Sequence, residues 1–167
     1  MKIQRWNALL LGLLMLLTCL ASAEDKKDEK KKDDGDVCMQ ANPVNLCNVG
    51  NTCGSASAPC SVDVKRTSYS ATATPGIPGA KGNSLFCVKS GTTVTWMSKS
   101  KNTGFLIDFG SSSPFDPPGA ITGGEAKPVS VVAGKQGCYK YNVSASYTSG
   151  IYGMTKTAQA NMIVLGK

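Results

Sequence analysis

Apolar and polar residues alternate along most of the chain after residue 60, in short runs separated by Gly, Pro and Ser. A period of two predicts a strand with one buried face. No run in this part has the period of a helix. Short strands with turn-rich connections predict an all-β fold, an antiparallel β-sandwich. The predicted strands are 62–70, 85–89, 92–97, 105–109, 129–133, 139–145 and 162–165.

The large side chains of these runs fall on common strand faces, which predicts the core. Trp96 shares a face with Val94, and Tyr141 shares one with its second neighbours along the strand. In a sandwich of two sheets the inward faces meet in one buried layer. The predicted core positions are Val94, Trp96, Phe105, Ile107, Phe109, Tyr139, Tyr141 and Val143.

Three long connections, 74–84, 110–124 and 146–161, interrupt the strands, and binding surfaces are usually carried on such loops. Tyr147 and Tyr152 flank Gly150 in the last of them. Tyrosine provides contact area at low entropic cost, so the two residues are candidates for a binding loop. Packing within the loop explains them equally well.

The first residues resemble a secretory signal peptide, predicted over 1–23. Lys2 and Arg5 precede an apolar run at 8–17, and the small residues 21–23 suit cleavage after Ala23. The run is too short to span a membrane, so no transmembrane anchor is predicted. Lipidation of Cys19 is the alternative. Either reading predicts an exported protein, periplasmic or secreted.

Residues 24–36 hold five lysines and seven acidic residues and no apolar side chain. Such a segment cannot offset the entropy lost on ordering, so it is predicted to be a disordered charged linker. The remaining residues, 37–167, contain eleven basic and four acidic side chains. This excess favours an anionic envelope polymer or another envelope protein as partner, and solubility alone explains it equally well. The chain has no basic run interleaved with aromatic residues, the pattern that would indicate a nucleic-acid partner.

Cleavage of the signal peptide leaves six cysteines, an even number that predicts three disulfides in an oxidising compartment. Sequence alone leaves their pairing open. Four cysteines crowd into a Cys-rich lobe at 37–61, which we expect to be linked to itself, leaving Cys87 to pair with Cys138. The first four cysteines are not spaced as the close C-x-x-C pairs that a zinc site requires. The six are Cys38, Cys47, Cys53, Cys60, Cys87 and Cys138.

Five segments, "GTTVTW", "FLIDFGSSSPF", "VSVVAG", "GCYKYNV" and "NMIVLG", resemble the cupredoxin family, a Greek-key β-sandwich, over 62–167. The family has a Gly-x-Tyr-x-Tyr/Phe-x-Cys pattern before its ligand loop. Gly137, Tyr139 and Tyr141 match this pattern, and the ligand cysteine is replaced by Val143. A ligand histidine would lie near Gly104 or Phe105. The chain has no histidine, so the resemblance implies a cupredoxin-like domain without copper or another cofactor.

The absence of histidine excludes Ser-His-Asp and Cys-His chemistry. Ser98 and Lys101 fit a Ser-x-x-Lys motif but lie in a polar hairpin, and Asp116 and Glu125 lie in Pro/Gly-rich loops, so no enzyme is predicted. We expect a non-enzymatic binding or structural role at the cell envelope or outside the cell. The alternative is a periplasmic redox or Cu(I)-carrier protein, with Cys87 and Cys138 as a thiol pair or Met97, Met154 and Met162 as donors.

Overall fold

The computed structural model describes residues 36–55, 57–154 and 160–167. The predicted signal peptide, Cys19 and the charged linker up to residue 35 lie outside these residues. In the part of the chain that is described, no helix is long and apolar enough to cross a membrane.

Among the described residues, two short 3-10 helices precede ten strands. The helices are Val37–Met39 and Pro43–Leu46. The strands are β1 (Cys60–Arg66), β2 (Ala71–Pro75), β3 (Phe86–Lys89), β4 (Thr93–Met97), β5 (Gly104–Asp108), β6 (Ile121–Gly124), β7 (Val129–Val132), β8 (Gly137–Tyr147), β9 (Gly150–Gly153) and β10 (Ala160–Leu165).

The strands form two sheets, and the predicted sandwich is confirmed. The first sheet has the order β2-β1-β4-β7, and the second has the order β3-β10-β8-β5-β6, with β9 paired to β8. The sheets are mixed rather than purely antiparallel, because β1 runs parallel to β4 and β3 runs parallel to β10. Each parallel pair is joined by a connection that contains other strands, which is long enough for the chain to return to the same end.

The buried faces of the two sheets meet in one core, as the alternation of the sequence predicts. The inward residues of β1, Val62 and Val64, are fully buried, as is Trp96 of β4. The Trp96 and Tyr141 rings meet edge to face with their centroids 5.4 Å apart, an arrangement that aromatic pairs prefer. Tyr139 departs from the predicted core, because it is only partly buried and its hydroxyl donates to the Lys135 carbonyl at 2.9 Å.

Three strands lie where the sequence predicts loops or a single longer strand. β2 follows a turn at 67–70, where the Thr67 amide donates to the Ser70 carbonyl at 2.7 Å, so the predicted strand 62–70 ends early. β6 is half glycine, and β9 is only four residues long and begins and ends with glycine. Gly and Ala carry little apolar signal, so a hydrophobic pattern overlooks such strands although neighbouring strands can still pair with them.

The part of the outer face of the second sheet around Ile163 is covered by the N-terminal segment, which we define as residues 36–55 and 57–59. A row of three residues crosses this face, because Ile163 of β10 is paired with Cys138 on one side and with Cys87 on the other. Ile163 is 1% exposed and lies outside the core between the sheets. The first 3-10 helix packs against β8 and the second against β10, so the segment supplies the cover.

Two disulfides attach this segment to the sheet. Cys38 is bonded to Cys138 and Cys47 to Cys87, while Cys53 is bonded to Cys60. The predicted Cys87–Cys138 bond is therefore wrong. Of the first four cysteines only Cys53 and Cys60 pair with each other, so the expectation that the lobe is linked to itself holds for this bond and is wrong for Cys38 and Cys47. Cys87 and Cys138 lie on β3 and β8 with β10 between them, a separation of about 9–10 Å at ordinary strand spacing. A disulfide spans Cα atoms no more than about 7 Å apart.

The N-terminal segment also covers the open edge of β3. The Cys53 amide donates to the Cys87 carbonyl at 2.7 Å, and the Cys87 amide donates to the Asn51 carbonyl at 2.9 Å. Residues 51–53 thus satisfy backbone groups that an uncovered edge strand would leave open to other chains.

Candidate functional site

One end of the sandwich collects the candidate binding residues. β1 finishes there at Arg66, β5 begins at Gly104, and β8 finishes at Tyr147. We call it the Arg66 end and define it by Arg66, the turn at 67–70, the loops at 98–103 and 125–128, and the β8–β9 hairpin at 147–153. In the cupredoxin resemblance this is the end at which a ligand cysteine and histidine would lie.

Arg66 points into the space between the sheets, because it continues the inward alternation of Val62 and Val64. Tyr147 continues the inward alternation of β8, and Tyr152 is paired with the buried Ala145 on that same side. The Arg66 guanidinium carbon lies 4.8 Å from the Tyr147 ring centroid and 5.0 Å from that of Tyr152. These distances are typical of cation–π contacts.

The candidate tyrosines therefore lie in a strand hairpin rather than in the predicted loop. The structure brings Tyr147 and Tyr152 together and adds Arg66, which sequence reasoning missed. The alternation of β1 indicates that Arg66 faces inward, yet nothing in the sequence indicates that β1 and β9 meet at this end. Tyr147 is 36% exposed, so the cluster both closes the core and reaches the surface.

Tyr152 is held by polar contacts as well as by stacking. Its hydroxyl lies 3.2 Å from the Ser149 hydroxyl. This hydrogen bond is the main cause that lowers the pKa of Tyr152, burial opposes it, and Arg66 lowers the pKa further. The nearby turn carries Tyr69, which is 92% exposed.

The loops at this end have an excess of positive charge, from Lys99, Lys101 and Lys127. Glu125 accepts a hydrogen bond from the Asn102 amide at 2.8 Å, so its carboxylate is engaged by the backbone. Asp63 accepts from the Lys99 amide at 3.1 Å and pairs with Lys65 at 3.3 Å. Among the described residues Arg66 forms no ion pair, because the two pairs found there are Lys65–Asp63 and Lys140–Asp36.

The positions of copper ligands in the resemblance hold core residues. Val143 is 1% exposed and Phe105 is 5% exposed. A Cβ atom on Gly104 would lie 2.6 Å from the Ser146 hydroxyl oxygen, so this position is closely approached by β8. The chain has no histidine, and within 36–55, 57–154 and 160–167 no group of three His, Cys, Asp or Glu residues could hold a metal ion.

The candidate Cu(I) donors do not come together. Met162 is fully buried in the core, and Met154 packs against that core. Met97 has the opposite alternation to Trp96 and therefore lies on the outer face of the first sheet. Cys87 and Cys138 are each bonded to another cysteine, so they do not form the thiol pair of the alternative hypothesis.

The residues considered for enzyme chemistry are also dispersed. Ser98 is buried, and its hydroxyl accepts from the Ser100 amide at 3.3 Å within a turn, not at the start of a helix. Asp116 lies in the connection before β6 and Glu125 in the connection after it. The two carboxylates thus occupy opposite ends of a strand and do not flank a common site.

No protein-family model matches the chain, and no curated protein matches it. Solved structures of copper proteins are similar to it. A mutant of amicyanin in the Cu(I) state has 17% identity and a TM-score of 0.38, over 64% of this chain and 82% of that one. Rusticyanin has 15% identity and a TM-score of 0.38, over 68% and 81%. Rusticyanin from Thiobacillus ferrooxidans has 14% identity and a TM-score of 0.35, over 68% and 80%.

Amicyanin and rusticyanin belong to the family that the sequence resembles. At these identities and TM-scores the likeness carries no argument about function. The chain is a two-sheet β-sandwich whose sequence resembles the cupredoxins, and the residues at the ligand positions of that resemblance are not copper ligands.

Proposed function

We propose that the protein is an exported, non-enzymatic, copper-free cupredoxin-like module with a binding or structural role at the cell envelope or outside the cell. The observation that carries this proposal is the disulfide set. All six cysteines after the predicted cleavage site are bonded in pairs. Disulfides persist in oxidising compartments and are rare in the cytosol, so the pairing supports export.

The side chains available as copper ligands support a role without metal chemistry. A blue-copper centre needs two imidazoles and a thiolate, and this chain has no histidine and no described cysteine outside a disulfide. The Arg66 end offers charge and aromatic area instead of metal ligands, which supports binding.

Thiol and metal measurements on the mature protein test the proposal. The protein, produced through a secretory pathway, is denatured with and without reductant and titrated for thiols. We expect six thiols only after reduction. Copper offered as Cu(I) and Cu(II) is expected to separate from the protein during gel filtration. Free thiols in unreduced protein, retained copper or blue absorption would instead support the redox or Cu(I)-carrier alternative.

The mass of the mature N-terminus tests the route of export. Cleavage after Ala23 leaves Glu24 as the first residue. A diacylglycerol on Cys19 would show a lipoprotein, which contradicts simple cleavage but keeps the protein at the envelope. An unprocessed Met1 on protein from the native cell would contradict export.

A further inference from the structure

We propose that the Arg66 end binds an acidic polysaccharide, with the Arg66 guanidinium taking a carboxylate of the sugar chain. This inference rests on the proposed function, because it names the ligand class of an exported binding module.

The geometry of Arg66 is the first support. A guanidinium presents N–H donors along its edges in a fixed fork, which matches the two oxygens of a carboxylate. Contacts with the Tyr147 and Tyr152 rings hold the Arg66 guanidinium in place before any ligand arrives. Less side-chain entropy is then lost on binding, which favours affinity.

The charge around Arg66 is the second support. Glu125, in a neighbouring loop, and Asp63, on β1 with Arg66, accept hydrogen bonds from backbone amides, and Asp63 also pairs with Lys65. Lys99, Lys101 and Lys127 extend the positive charge across the loops of the same end. An end with this balance attracts a polyanion and repels a cationic ligand.

The remaining groups at this end favour a polysaccharide over an acidic protein. Beside the exposed Tyr69 and the two tyrosines of the cluster, many exposed side chains of the loops and turns are small hydroxyl or amide groups. A protein interface usually has an apolar core in which Tyr and Arg are enriched and Ser and Lys are depleted, so the Ser and Lys side chains around the cluster, not the cluster itself, favour a polysaccharide. The exposed Ile151 is paired with Ser146 on the outer face of the sheet and therefore faces away from Arg66. The hydroxyl and amide side chains of these turns and loops that are not buried are Thr67, Ser68, Ser100, Asn102, Thr148 and Ser149.

Calorimetry with polygalacturonate, a carboxylate polymer, tests the inference on the mature protein. Dextran is the neutral control. Dextran sulfate tests whether a sulfated polysaccharide binds as well as a carboxylated one, and poly-L-glutamate represents an acidic protein segment. We expect saturable binding of polygalacturonate that weakens as salt rises, weaker binding of the other two polyanions, and none of dextran.

Variants locate the site. Arg66→Gln is expected to weaken polygalacturonate binding at least about tenfold, and Arg66→Lys by about threefold to tenfold, because lysine keeps the charge and loses the fork. The matched control is Lys89→Gln, which removes one charge at the exposed end of β3, on the opposite end of the sandwich, and should change the affinity less than about twofold. Thermal unfolding of each variant checks that it is folded.

Three results would overturn the inference. Equal losses for Arg66→Gln and Lys89→Gln would show binding by net charge alone. Poly-L-glutamate binding as tightly as polygalacturonate would point to an acidic protein partner. No binding of polygalacturonate would remove the ligand class. Each result is separable from failure of the proposed function, which depends on thiols, copper and N-terminal processing measured without any polysaccharide.

Discussion

The covered face around Ile163 and the Arg66 end differ in how the fold closes them. On the covered face, the N-terminal segment lies over the second sheet, and disulfides at Cys138 and Cys87 stand on either side of Ile163. At the Arg66 end, closure depends on a guanidinium over two tyrosine rings, with Tyr147 partly exposed.

The difference separates stability from recognition. Covalent links and a buried aliphatic side chain resist opening, and they leave no polar group to recognise a ligand. A cation–π cluster at the surface contributes little to stability, and its charged edge can bind an anion. We therefore expect large stability effects from changes on the covered face and small ones from changes at the Arg66 end.

The largest effect is expected from removing the Cys38–Cys138 bond. Its partners are 100 residues apart in sequence, and loop-closure entropy gives about 4–5 kcal/mol for a loop of that length. Replacing both cysteines by alanine should lower the free energy of unfolding by that amount in urea titrations. The control replaces Cys53 and Cys60, seven residues apart, where the same entropy term is about 2 kcal/mol. A smaller loss for the long loop would contradict the expected order.

Ile163→Ala is expected to lower the free energy of unfolding by about 2–4 kcal/mol, because it removes a buried side chain and leaves a cavity beneath the N-terminal segment. Ile151→Ala is the matched control. Ile151 is 80% exposed at the hairpin of the Arg66 end, so its loss should cost less than about 0.5 kcal/mol. Urea unfolding measures both variants. Equal costs would show that the outer face around Ile163 is not sealed.

Alkaline pH is expected to lower the free energy of unfolding through a tyrosine of the core rather than through the tyrosines of the Arg66 end. Burial raises the pKa of Tyr141 well above its ordinary value of 10.0 and also raises that of Tyr139. As the pH rises above 10.0, the unfolded chain loses the Tyr141 phenolic proton first, so the folded state loses about 1.4 kcal/mol of stability per pH unit through this residue. Below pH 9 the phenol is protonated in both the folded and the unfolded state, so it adds no pH dependence to the free energy of unfolding.

Tyr141→Phe should therefore reduce the fall in stability between pH 9 and pH 11 without a large cost at pH 8, since the Tyr141 hydroxyl is buried and has no hydrogen-bond partner among the described residues. Tyr152→Phe is the control. The pKa of Tyr152 is lowered rather than raised, so removing its hydroxyl should not reduce the fall. An unchanged alkaline slope in Tyr141→Phe would contradict the burial of this ring.

The smallest effect is expected for the contact between Arg66 and Tyr147. A double-mutant cycle with Arg66→Gln and Tyr147→Leu should give a coupling energy of about 0.5–1 kcal/mol. Lys65→Gln with Tyr147→Leu is the control cycle, because Lys65 lies next to Arg66 but faces outward, and its coupling should be near zero. A coupling above about 2 kcal/mol would mean that this cluster is a major source of stability, and the contrast with the covered face would fail.

Residues of the core and of the Arg66 end differ in how far the sequence predicted them. The core positions Val94, Trp96 and Ile107 were predicted from alternation, and all three are fully buried. Two of the three members of the Arg66 cluster were predicted, since both tyrosines were candidates and their arginine partner was not. Its members come from β1, β8 and β9, and no local pattern states which strands meet at one end.

Hydrophobic alternation determined the β-sandwich, most of its strands and its inward faces, because the period of side chains along a strand is a local property. The cysteine count determined that there are three disulfides. Only the tertiary structure decided which cysteines pair, since placing β10 between β3 and β8 separates Cys87 from Cys138 and brings each under the N-terminal segment. Strand order depends on contacts between residues far apart in the chain, and the same order places Arg66 over its tyrosines.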